Sequence, residues 1–110
     1  MAWLIREGEV LAALELAGSR KARRKGLLGR DGIDGALLLP SARMGVHTLG
    51  MRFPLDVAFC DKGMVVRRVL CVNPGRITRP SFRAPLVIEA EAGAFERWSL
   101  RTGDQLEIKE

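Results

Sequence analysis

Apolar and polar positions along this chain alternate over short stretches and break at turns, a rhythm of strands rather than of helices. Trp3 to Arg6 and Val10 to Leu16 read as two strands paired across Glu7-Gly8, with Glu15 the one polar interruption in the second. Leu37-Leu38-Leu39 ends at Pro40 and is too short for a helix. Val46 to Leu49, Leu55 to Cys60 and Met64 to Val72 follow, the last rich in β-branched residues. Pro74, Pro80 and Pro85 bracket an irregular stretch, after which come Leu86 to Glu91 and Gln105 to Lys109. Two segments depart from this rhythm. Ser19 is placed to cap a short helix from Arg20 to Leu27 or Leu28, stopped by Gly29. Its basic first turn opposes the helix dipole, so packing through Ala22, Leu27 and Leu28 must hold it. The other, Ala94 to Leu100, sets Phe95, Trp98 and Ser99 on one side. The spacing of turns predicts a mainly β fold, α+β at the margin. The form expected is a compact antiparallel β-sandwich or jelly-roll-like barrel with two short helices, not alternating βαβ units.

The hairpin around Asp61-Lys62-Gly63 carries the most information. A three-residue loop with Gly63 left-handed sets Cys60 opposite Met64, Ala58 opposite Val66 and Asp56 opposite Arg68. One face then holds Leu55, Val57, Phe59, Val65, Val69 and Cys71, with Arg67 the exception. The other holds Ala58, Cys60, Met64, Val66, Leu70 and Val72 around the Asp56–Arg68 pair. Both faces are apolar, so the hairpin belongs inside the sheet system with cover on each side. Asp56 then needs a cation or several N–H donors, because a buried, unpaired carboxylate is costly. The same register turns Cys71 away from the face of Cys60, which excludes a disulfide between them and leaves both as reduced, packed thiols.

Composition narrows the class. The 110 residues, 47% hydrophobic and 28% charged, suit one domain over 1–110, large enough to bury a core without staples. Disorder, collagen and a disulfide scaffold are excluded. No uncharged stretch exceeds eight residues, far short of the ~20 that a spanning helix needs. Met1 to Glu7 lacks the basic start and long apolar run of a secretory signal. A cytoplasmic chain with no membrane partner is the expectation.

The net charge of +5 is unevenly spread. Arg20, Lys21, Arg23, Arg24, Lys25 and Arg30 precede the next acid, Asp31, and no acid lies between Lys62 and Arg83, a span that includes Arg67, Arg68, Arg76 and Arg79. Two such segments converging in space would attract phosphates or an acidic partner; a solvated basic face is the plainer outcome. The aromatics are Trp3, Trp98 and four Phe, with no Tyr, so a platform for stacking bases is not visible.

His47 is the only histidine. No Gly-x-Ser-x-Gly occurs, so a catalytic triad lacks support. Met44, Met51 and His47 are types that suit Cu(I), yet in a strand Met44 falls opposite the other two. With no Cys-x-x-Cys, His-Glu-x-x-His or Asp-rich loop, neither metal nor cofactor is expected. Glu89 and Glu91 share a strand face with Val87; they either balance arginines or join Asp56 as paired carboxylates for sugar chemistry.

Three blocks carry a family resemblance: Gly26-Leu27-Leu28-Gly29-Arg30; Pro54-Leu55-Asp56-Val57-Ala58-Phe59 with Asp61, Gly63 and Val65 behind; and Ile88-Glu89-Ala90-Glu91-Ala92-Gly93 followed by Leu100 and Gly103-Asp104-Gln105-Leu106. In this order and spacing they resemble the domain-of-unknown-function 192 (DUF192) family, from about Leu11 to Ile108. The resemblance implies a compact, mainly β fold of jelly-roll or sandwich type with short helices, and no established activity. The functional expectation is a non-catalytic β-domain that binds a small polar or anionic ligand in a cleft lined by Arg30, His47, Met51, Asp56 and Glu89. The alternatives are a basic-surface module for nucleic acid or an acidic protein, and a hydrolase-like enzyme using Asp56.

Overall fold

A computed structural model describes residues 2–18, 23 and 27–110. β1 (Ala2–Arg6) and β2 (Glu9–Leu16) form the expected hairpin. Glu7 and Gly8 both take positive φ, 49° and 80°, the twist that suits a two-residue hairpin turn. β3 (Ala36–Leu39) then runs parallel to β2, which a tight turn cannot achieve. The connection passes through the segment where a helix from Arg20 was expected; most of that helix, Ala22 included, lies outside the described residues. Leu27 is buried and Leu28 packs against the same core, as expected of its apolar side.

β4 (Leu55–Cys60), β5 (Val66–Val72) and β6 (Leu86–Glu91) follow, then the single-turn helix α1 (Ala94–Arg97) and β7 (Glu107–Lys109). The seven strands make one sheet in the order β5-β4-β6-β3-β2-β1-β7, antiparallel except between β2 and β3. A mainly β fold is borne out. The sheet is mixed, however, and does not close into a barrel. Only an isolated Val65–Gln105 bridge and bonds such as Val66 N–H to the Asp104 carbonyl (2.9 Å) tie the start of β5 to the approach to β7. The strand expected over Val46 to Leu49 shrinks to one bridge, His47–Ile77. Its partner segment runs between prolines, which cannot donate to a ladder.

Period-two alternation divides the sheet into two buried faces. Leu37, Leu39, Val57, Phe59 and Val87 point to one, roofed by Ala42, Val46, Met51, Phe53 and Ala84 from two long loops. Leu4, Ala36, Leu38, Ala58, Cys60 and Ile88 point to the other, closed by Ala94, Phe95, Leu100 and Leu106. β4 is therefore buried at every position, whereas β5, at the end of the order, exposes Arg67 and Cys71. The radius of gyration, 12.5 Å, is that of a compact globule. No helix among the described residues is long and apolar enough to cross a membrane.

The hairpin register differs from expectation. Asp56 lies opposite Cys71, not Arg68; Ala58 faces Val69 and Phe59 faces Arg68. The cause is local. Asp61 Oδ1 accepts the N–H groups of Gly63 (2.9 Å) and Val65 (3.1 Å), and the left-handed residue is Met64, φ 63°, not Gly63. A bulge then leaves Arg67 unopposed, with its Nε donating to Asp61 Oδ2 at 2.8 Å. Past the bulge the faces of β5 exchange, so Cys71 shares the side of Cys60 and Leu70 and Val72 join the opposite core. Both thiols are free, as expected, although Cys71 is exposed rather than packed.

Candidate anion-binding site

The sheet separates the residues nominated from sequence. Asp56 is paired with Ala90, and Glu89 with Val57, so the two carboxylates project from opposite faces and cannot share a cleft. Glu89 is fully buried and accepts two hydrogen bonds from Arg23, from Nε at 2.7 Å and Nη2 at 2.6 Å. The same Nη2 donates to the His47 carbonyl at 3.0 Å. One guanidinium thus ties the chain ahead of β3 to β6 and to the following loop layer. His47 contributes its backbone there; its ring is exposed, and Nδ1 accepts the Leu49 N–H at 3.3 Å. Met51 is packed in the first core, and Arg30 is exposed with its N–H on the Leu27 carbonyl at 3.4 Å. Arg23 was legible only as one member of a basic run. The clue to its role is Glu89, an acid on the inward face of a central strand, which demands a cation.

Asp56 is buried on the other face and is satisfied by main-chain donors. Its Oδ2 accepts the N–H groups of Gly93 (2.9 Å) and Phe95 (3.0 Å), so a strand residue caps the first turn of α1. Gly93 makes this approach with φ 97°. Across the ladder the Cys71 thiol hydrogen-bonds the same carboxylate; burial, then the charge of Asp56, holds that thiol above its ordinary pKa. A depression of about 590 Å³ opens here, between Val69, Cys71, Glu96 and Arg101. Of its two acids, Asp56 is committed to capping and Glu96 is exposed, and the chain's one histidine is tied by its carbonyl to the opposite face of the sheet, so among the described residues no histidine base stands beside a nucleophile here. Among the described residues no three His, Cys, Asp or Glu side chains converge to hold a metal ion.

The other groove, about 710 Å³, carries a different chemistry. It lies between β5 and the loop 79–84, lined by Arg67, Arg68, Arg79 and Arg83 beside Phe82, with Asp61 the one acid. The shifted register puts Arg68 here: its guanidinium stacks 4.2 Å above the Phe59 ring and Nη2 donates to the Arg79 carbonyl at 3.3 Å. Partial burial, and then repulsion from Arg79, lowers the pKa of Arg68. Arg67 is paired with Asp61 at 2.8 Å. Among the described residues neither Arg79 nor Arg83 has a carboxylate within ion-pairing distance. Planar five-donor guanidinium groups converging in one groove suit carboxylate or phosphate oxygens.

A mixed β-sheet with a guanidinium-lined groove at its β5 edge defines a small β-domain with the means to hold an anion. Residues 3–108 match the DUF192 family, described as an uncharacterized ACR, and the chain belongs to that family. Two solved structures share the fold. One, from Sinorhizobium meliloti 1021, described as a "putative transcription regulator", is 24% identical with a TM-score of 0.77, covering 96% of this chain and 90% of that one. The second, a protein of unknown function from Novosphingobium aromaticivorans DSM 12444, is 18% identical with a TM-score of 0.75, covering 96% and 82%. At such identities the likeness is one of fold. No curated protein matches the chain.

Proposed function

We propose that this chain is a non-catalytic binding domain for a small anionic ligand, and that the ligand sits in the groove of Arg68, Arg79 and Arg83. The observation that carries this is a set of convergent guanidinium groups with a single neighbouring acid, itself occupied by Arg67. A bound phosphate or carboxylate would supply the missing counter-charge and relieve the repulsion between Arg68 and Arg79. The reading moves the ligand away from Asp56 and Glu89, whose oxygens are engaged by Gly93, Phe95 and Arg23. It also sets aside hydrolysis by Asp56.

Thermal-shift titration with inorganic phosphate and pyrophosphate, against sodium chloride of matched ionic strength and neutral sugars, tests the proposal. Pyrophosphate is expected to raise the melting temperature saturably, following the linkage between ligand concentration and stability. Arg79→Gln with Arg83→Gln should abolish that rise without lowering the melting temperature of the free protein. No anion-specific stabilisation would sink the idea.

A further inference from the structure

The roof over the first core has a composition of its own. Segments 42–48 and 76–85 pair by main-chain bonds: Thr48 N–H to the Arg76 carbonyl (2.8 Å), Thr78 N–H to the Val46 carbonyl (2.9 Å) and Ser81 N–H to the Arg43 carbonyl (2.7 Å). Gly45 sits so close to this partner that a Cβ there would lie 2.7 Å from the Thr78 carbonyl oxygen. The inward residues Val46 and Thr48 are buried, while the bridged pair His47 and Ile77 between them is exposed. The roof thus displays Ile77 at 71% exposure, Phe82 at 64%, Met44 at 58% and, just past its end, Leu49 at 48%. No acid occurs from Gly35 to Leu55 or from Lys62 to Ile88. Arg43, Arg76, Arg79 and Arg83 lie on the same segments, and none is ion-paired among the described residues.

A solvated basic face has no use for four large exposed apolar side chains, and apolar tips rimmed by cations mark an interaction surface. Bases would stack on aromatic rings, and only Phe82 is one, so the aliphatic tips have no role against nucleic acid. Against an anionic bilayer every element has one: guanidinium groups at the headgroup phosphates, aliphatic and phenyl tips in the acyl boundary. We infer that this loop layer is a docking surface for an anionic lipid membrane, with the neighbouring arginine groove receiving a lipid phosphate. The inference rests on the anion-binding reading of that groove and names the source of the anion. The expectation of no membrane partner came from the lack of a spanning segment, which a peripheral contact does not need.

The test is co-sedimentation of the protein with phosphatidylcholine vesicles, with and without phosphatidylglycerol, alongside pyrophosphate thermal shift. Binding is expected only with phosphatidylglycerol, falling as salt rises. Met44→Ser with Ile77→Ser, both exposed, outside the arginine groove and so neutral to folding, should weaken vesicle partitioning by ~tenfold or more and leave the pyrophosphate shift intact. Arg79→Gln with Arg83→Gln should lose both signals. Pyrophosphate stabilisation without vesicle binding overturns the membrane inference and spares the anion-binding reading; loss of both signals in the parent protein removes both. Unchanged partitioning of the apolar variant overturns the inference, as does tighter binding to a single-stranded oligonucleotide than to the vesicles.

Discussion

Replacing Glu89 by Gln tests the account of the interior most sharply. The substitution keeps the shape of the side chain and removes its charge, leaving the Arg23 guanidinium buried beneath the sheet. Glu89 is 0% exposed and Arg23 6%, so solvent cannot take over. Breaking such a pair from one side costs about 3–5 kcal/mol, because arginine does not deprotonate to escape. Natural domains are stable by only about 5–15 kcal/mol, so about a fifth or more of the total is at stake. With a urea m-value of about 1–3 kcal/mol/M, the unfolding midpoint should fall by about 1 M or more. Equilibrium urea unfolding followed by tryptophan fluorescence reads this through the half-buried Trp98. Arg23→Met with Glu89→Leu, which removes both charges at similar volume, should recover most of the loss, since neither group then has to leave water. Arg52→Gln is the comparison: its partner Asp31 is 88% exposed, and the change should cost less than about 1 kcal/mol. A Glu89→Gln protein as robust as Arg52→Gln, or a double variant as weak as the single one, would refute the argument.

Other consequences follow from the same geometry. The Val65 N–H, then the Arg67 guanidinium, hold the Asp61 carboxyl below the ordinary aspartate range. The stability it adds is therefore complete above the unfolded carboxylate pKa and lost as pH falls below it; Asp61→Asn should lower stability at neutral pH and flatten the acid limb of the stability–pH curve, so that the two proteins converge below about pH 4. Burial, and then the nearby Asp61 charge, pushes the Cys60 thiol up to about 12. A disulfide reagent should accordingly titrate Cys71 alone in the native protein and both thiols in guanidinium; equal native rates would contradict the placement of Cys60. Gly45→Ala forces a side chain into backbone at φ 87° beside the Thr78 and Arg79 carbonyls. A left-handed alanine costs about 1–2 kcal/mol before that clash is counted, so a clear fall in melting temperature is expected. Asp56→Ala uncaps α1 and should cost about 1–3 kcal/mol in urea unfolding while leaving pyrophosphate binding unchanged.

Strand positions were legible wherever alternation was dense and turns were marked by Gly or Pro, as at Trp3 to Arg6, Leu55 to Cys60 and Leu86 to Glu91. The pairing of β5 was not. A hairpin's register depends on whether a turn residue spends its side chain on the backbone, and Asp61 does so twice, which displaces the left-handed position to Met64 and introduces the bulge at Arg67. That shift moved Arg68 from the side of Asp56 to the ring of Phe59 and so created the groove. The parallel β2–β3 pairing was equally hidden, because it joins segments whose contact no local pattern encodes.

Among the candidate residues, the need of Asp56 for a partner followed from its apolar neighbours, whereas Glu89 was expected either to balance arginines or to join Asp56. Which partner each found did not follow: main-chain donors of α1 for one, a distant arginine for the other. Composition and alternation by themselves settled a mainly β chain with a buried β4 and a basic balance; the two thiols are free although the register expected to part their faces is not the one formed. The third dimension decided the strand order, the face each acid occupies and the convergence of arginines from β5 and the 79–84 loop. The reason is one of range. Backbone propensity and burial act over a few residues and are written along the chain, whereas charge pairing and groove formation depend on distances between segments that only the folded sheet sets.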